Sequence, residues 1–138
     1  MQTFTLVSIT ASNIFGIIPI SSLISTKRYY GACLVTSAVL ASIFMHATET
    51  KHKLPGLFLA QYSKTFLNID RVIAYITGFY GLYLFYTNPN KTITQAVLSI
   101  IGGIASIIGE CTENLPLYCA CHILWHCSAY GSLALVNH

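Results

Sequence analysis

Five apolar stretches, at about 4–24, 29–48, 66–87, 92–109 and 116–136, are separated along the chain by short polar segments. Each approaches the ~20 residues that a helix needs to cross a bilayer core of about 30 Å. Lys27 and Arg28 divide the first two stretches, and a longer polar stretch from Glu49 to Thr65 divides the second from the third. Asn88-Pro89-Asn90-Lys91 is a turn signal before the fourth. Glu110-Cys111-Thr112-Glu113-Asn114 precedes the fifth, where Pro116 suits the first turn of a helix. The first stretch lacks a basic leader and its apolar run is long, so it reads as a retained span and not a signal peptide. Leu54 to Ala60 is apolar but too short to cross, and is expected in the interface or against helix ends. Tyr29, Tyr30, Tyr83, Tyr86 and Tyr118 fall near span ends, as an aromatic belt would. The expectation is an all-α, polytopic membrane helix bundle of about five transmembrane helices. It forms a single domain over 1–138, multi-pass in a membrane whose compartment the sequence does not name.

Composition supports this reading. The 138 residues are 54% hydrophobic and 8% charged, against about 25% charged in soluble domains. A net charge of +3 scattered through short loops, with no basic run and interleaved aromatics, gives no ground for nucleic-acid binding. The five cysteines (Cys33, Cys111, Cys119, Cys121 and Cys127) form no disulfide framework, and most sit where a free thiol acts as a small hydrophobe. Gly102, Gly103, Ala105, Ser106 and Gly109 in the fourth span are small residues of the kind that let helix backbones approach in lipid. Positive charge does not orient the bundle: Lys27, Arg28 and Lys91 fall on one side, Lys51, Lys53 and Lys64 on the other, with Arg71 just inside the span.

Against this apolar background stand His46, His122 and His126, and an ionisable residue inside a membrane span is a functional-site hypothesis by default. Five spans fix the parity of their ends. His46 closes the second span, Asp70 lies in the first turns of the third, and the histidine pair lies in the first half of the fifth, so all four share one leaflet. Depth fits less simply: at ~1.5 Å per residue, His126 lies roughly 15 Å into a helix that starts at Pro116. A tilt of that span, or a protruding first turn, would level it with His46. Residues four apart share a helical face, so His122 projects with His126 and Ser42 with His46. Three imidazoles are the ligand set of a catalytic zinc that keeps its fourth position open. Asp70 could then serve as general base or orient a ligand, and Ser42 could hydrogen-bond the water or an oxyanion. Blander readings stand beside these. Interhelical hydrogen bonding accounts for an i, i+4 histidine pair, helix packing for Ser42, and a local charge pair with Arg71 or a helix-start preference for Asp70. Cys119 shares the histidine face roughly and could replace a ligand. His52 and His138 are expected to be solvated and uninvolved.

Taken together, Ser42-x3-His46, a later Asp70 and His122-x-x-Trp125-His126 in the last span resemble the signature of the CREST superfamily. That group includes alkaline ceramidases, adiponectin-type receptors, GPI-anchor-remodelling lipases and myomaker-like proteins. The match runs from about Ser37 to Gly131, and the wide gap from His46 to Asp70 looks most like the myomaker-like group. The resemblance implies Zn2+ held by His46, His122 and His126, with Ser42 and Asp70 attending a metal-activated water. It departs from the family in having room for five spans where members typically have seven. Losing two helices between the Asp70 span and the histidine pair preserves parity but thins the wall, which a homodimer could complete. The stretch after His46, Glu49-Thr50, also lacks the nearer Asp of some relatives. The expected function is an integral membrane zinc-dependent hydrolase cleaving an amide or ester bond of a lipid. The alternatives are a non-catalytic membrane-remodelling or receptor-like protein with a structural zinc, and a proton or metal conduit.

Overall fold

Helix dominates because each apolar stretch satisfies its own backbone hydrogen bonds, as lipid would require. The computed structural model describes residues 2–51, 54–90 and 92–135. His52, Lys53, Lys91 and His138, all weighed above, lie outside them. The elements are α1 (Gln2–Ser12), a 3₁₀ turn (Asn13–Gly16), α2 (Ile17–Ser25), α3 (Tyr29–Thr48), a 3₁₀ turn (Ala60–Tyr62), α4 (Ser63–Thr87), α5 (Ile93–Cys111) and α6 (Leu115–Leu135). Among the described residues, five helical passes therefore stand where five apolar stretches were expected. Three of them, Gln2–Ser25, Tyr29–Thr48 and Ile93–Cys111, are long and apolar enough to cross a membrane.

The first pass is not one continuous α-helix. Pro19 has no backbone N–H and crowds the carbonyl one turn back, at Phe15, so the chain tightens to 3₁₀ geometry over Asn13–Gly16. Local chemistry sets the later boundaries. The Asn88 side chain accepts from Asn90 N–H at 2.8 Å, closing the turn after α4. Thr92 and Gln95 form a capping box at the start of α5. The Asn114 side chain accepts from Leu117 N–H at 3.0 Å and caps α6.

The α1–α2 pass occupies the middle of the bundle, packed against both α3 and α6; α4 lies along α3, and α5 lies along α6. The α5–α6 contact is built on small residues, with Gly102, Ala105 and Gly109 buried at helical spacing. Ser99 and Ser132 hydroxyls meet across it at 2.8 Å. Of the small residues singled out from the sequence, Gly103 does not face this contact: a Cβ there would meet nothing within 4 Å. At Gly16 the central pass comes so close to α3 that a Cβ would overlap Val39.

Two apolar clusters bracket the molecule. One gathers Leu23, Ala32, Val35, Leu84, Tyr130 and Leu133. The other gathers Leu6, Ile9, Leu54 and Tyr118. The segment after α3 folds back against helix ends, as its length suggested: Leu54 is buried, and the N–H of Leu57 donates to the Ala47 carbonyl at 2.6 Å. Gly56 permits the reversal with φ of +65°.

Tyr29, Tyr30, Tyr83 and Tyr86 are exposed near helix ends. Tyr118 is not. It is 1% exposed and points into the core, because its hydroxyl has a buried partner there.

Candidate metal centre

The level between the two apolar clusters is where the polar residues meet. His46 near the end of α3 and His122 and His126 in α6 turn their rings together, with ring centroids 4.3, 5.0 and 5.5 Å apart. One nitrogen from each lies within 4.8 Å of the others. Convergence, which topology allowed, is thus realised in space. The depth mismatch is resolved by register: α3 and α6 run antiparallel, and one turn along α3 matches one turn back along α6. Ser42 lies opposite His126, His46 opposite His122, and Glu49 opposite Tyr118. The first turn of α6 extends alongside the residues that follow α3, which brings the histidines level.

The histidine pair is the middle of a longer series. Tyr118, His122, His126 and Tyr130 recur every fourth residue on one face of α6, with successive ring centroids 5.3, 5.0 and 5.8 Å apart. The two tyrosines anchor this face at its ends. Tyr130 donates its hydroxyl to the Asn13 side-chain oxygen at 3.0 Å. Tyr118 donates its hydroxyl to Glu49.

The hydrogen bonds around the rings determine which nitrogens remain free. His46 Nδ1 lies 3.0 Å from Glu49 Oε2, so the ring donates there and leaves its Nε2 lone pair unengaged. That Nε2 is buried and has no hydrogen-bond partner among the described residues. Buried polar atoms are nearly always paired, so an orphan of this kind calls for a ligand. His126 Nδ1 lies 2.6 Å from Ser12 Oγ. Ser12 spends its one hydroxyl proton on the Ile9 carbonyl, also at 2.6 Å, so the imidazole must be the donor in that pair. His126 Nε2 then carries a lone pair beside the Ser42 hydroxyl, 3.3 Å away. At least two of the three rings therefore present an unprotonated Nε2 to the common space.

This donor set fits a metal ion. Nitrogens at 2.0–2.1 Å from a tetrahedral ion sit about 3.4 Å apart, and the three here lie within 4.8 Å of one another. Three imidazoles select no single ion, since imidazole suits zinc, copper, iron and nickel alike.

The remaining sequence candidates take distinct places. Ser42 belongs to the site. Asp70 is half-buried on α4, within electrostatic reach of His46, Glu49 and Tyr130. Among the described residues it makes no hydrogen bond to the imidazoles, and the group that could hold a metal comprises the histidines alone. It is not paired with Arg71, which instead donates to Glu110 at 3.4 Å. Lys51 also donates to Glu110, at 3.1 Å, so this exposed carboxylate ties α5 to α4 and to the segment after α3. Cys119 packs against the Leu6–Tyr118 cluster and is not in the candidate ligand group.

Three residues of the site escaped the sequence reading: Ser12, Glu49 and Tyr118. Their signals were present but faint. Ser12 and Asn13 are adjacent polar residues within an apolar run, and Glu49 lies about one turn beyond His46. No family model matches the chain, and neither a curated protein nor a solved structure matches it.

Proposed function

We propose that this protein is an integral membrane, zinc-dependent hydrolase that cleaves an amide or ester bond of a lipid, with all five passes crossing the bilayer. The observation that carries the proposal is the buried Nε2 of His46, unpartnered among the described residues and grouped with two further imidazoles. Its placement among helices apolar enough to span a membrane supports it. The motif resemblance to the CREST superfamily points the same way. A three-histidine set leaves one coordination position open, as catalytic zinc sites do. Zinc there would polarise a carbonyl and activate a water at neutral pH. His46, His122 and His126 hold the ion. Asp70 accepts a proton from the attacking water and returns it to the leaving amine or alcohol as the carbonyl carbon–heteroatom bond breaks. The Ser42 hydroxyl, beside His126 Nε2, donates to the oxygen that gains negative charge. Among the described residues α4 and α5 do not pack along one another beyond the Arg71–Glu110 pair, which leaves a substrate a way in from the lipid phase.

The test is hydrolysis of amide- and ester-linked lipids by zinc-loaded protein in bilayer discs. The expected result is turnover abolished by His122→Ala and reduced at least ~100-fold by Asp70→Asn, the scale of general-base catalysis. Lack of any turnover that His122→Ala removes would refute the proposal. The thin wall favours one second reading, a non-catalytic membrane-remodelling or receptor-like protein with a structural metal. In that case function would survive Asp70→Asn and Ser42→Ala, while stability would still depend on the histidines.

A further inference from the structure

Glu49 has the most unusual setting of any carboxylate in the described chain. It is 4% exposed, and a carboxylate in a dry interior is costly unless each oxygen is paired. Both are. Oε2 accepts the Nδ1–H of His46 at 3.0 Å, and Oε1 accepts the hydroxyl of Tyr118. Tyr118 is itself buried and belongs to the histidine-bearing face of α6. Lys51 lies over its ring, 5.5 Å from the centroid. Glu49 is thus clamped between the α3 histidine and the α6 helix that carries the other two.

We infer that Glu49 is the positioning residue of the metal centre, holding His46 in the Nδ1–H tautomer with Nε2 directed at the ion, and that Tyr118 fixes Glu49 in turn. The inference rests on the three-histidine reading of the site and specifies how that site is set before metal arrives. A metal-bound imidazole characteristically donates its other N–H to a carboxylate or carbonyl, which fixes the ring and raises its basicity as a ligand. His46 has that partner, and the nitrogen left over is the orphaned one. A merely structural ion pair would satisfy Nδ1 equally well. It would give no reason for the opposite nitrogen to be buried, unpaired and turned toward two more imidazoles. Glu49 stands outside the candidate ligand set, which among the described residues comprises the three histidines.

The experiment uses the full chain in detergent or bilayer discs, titrated with Co2+ and followed by its visible ligand-field bands. Zinc affinity is read by competition with a chromophoric chelator. His126→Ala serves as the control for the centre itself, and the test variants are Glu49→Ala, Glu49→Gln and Tyr118→Phe. One metal per chain is expected, with binding lost in His126→Ala. Glu49→Ala should weaken zinc binding about 10- to 100-fold, the usual effect of removing such a partner. Glu49→Gln keeps an acceptor for Nδ1–H and loses the charge. It should therefore retain affinity closer to wild type while shifting the Co2+ bands, and Tyr118→Phe should shift them the same way by less. If Glu49→Ala fails to fold, Glu49→Gln and Tyr118→Phe decide the matter. Wild-type affinity and unchanged bands in those two overturn the role of Glu49 and leave the histidine centre standing. A wild-type chain that binds no metal, or binding that survives His126→Ala, overturns both.

Discussion

Ser12→Ala offers a sharp test of how the site is aligned. Ser12 is 5% exposed and His126 is 4% exposed, so neither can turn to water when its partner is removed. The serine hydroxyl receives the His126 Nδ1–H at 2.6 Å and donates to the Ile9 carbonyl. Alanine deletes the acceptor and leaves a buried N–H unpaired, which costs about 1–3 kcal/mol. The imidazole has one escape. It can move its proton to Nε2 and donate to the Ser42 hydroxyl, 3.3 Å away. That tautomer satisfies the ring but removes the lone pair required for a metal. The variant should therefore lose stability, metal affinity, or some of each, with affinity falling roughly 10- to 100-fold as for other outer partners of metal-bound histidine. Ser12→Thr, which keeps the hydroxyl, should lie near wild type. Thermal unfolding with and without zinc, together with a competition titration, separates the two losses. A Ser12→Ala protein with wild-type melting temperature and affinity would refute the assigned tautomer and the role of the first pass in holding His126.

Further tests address the rest of the bundle. Gly102→Ala should destabilise by about 1–3 kcal/mol in detergent unfolding through overpacking, because its Cβ would lie 3.1 Å from Ser128 Cβ and 3.2 Å from Trp125. Gly103→Ala, one residue on and facing open space, should be neutral or stabilising by up to ~1 kcal/mol from helix propensity. Tyr130→Phe leaves the fully buried Asn13 oxygen without its donor and should cost about 1–3 kcal/mol in the same assay. Glu110→Ala breaks contacts to Lys51 and Arg71, but all three side chains are more than a third exposed. The loss should stay below about 1 kcal/mol and shrink further in high salt.

Much of the site was legible before any fold was known. Histidine is conspicuous in apolar surroundings, so its three occurrences inside the passes needed no structure to be noticed. Spacing of four residues put His122 and His126 on one face, and parity of the passes put them at the same end as His46 and Asp70. The residues that were missed share one property: their importance lies in a partner distant in the chain. Ser12 resembles any small polar residue in an apolar helix until His126 is found against it. Tyr118 fits an aromatic belt until its hydroxyl is found on Glu49. Glu49 itself passes for the first residue of a polar loop. The bend at Asn13–Gly16 had a local cause in Pro19, yet its result, two buried polar side chains facing α6, depends on how the helices pack.

The sequence by itself determined the number of helical passes, their approximate limits and the end at which the ionisable residues gather. These follow from the length of apolar runs, from local turn and capping residues, and from counting crossings, all of which act over a few neighbours or depend only on order. Tertiary structure alone decided the antiparallel register of α3 against α6, the buried hydrogen bonds that leave nitrogen lone pairs facing one another, and the half-buried place of Asp70 within electrostatic reach of His46. Those depend on the rotation and depth of each helix, which are set by how side chains on different passes interlock.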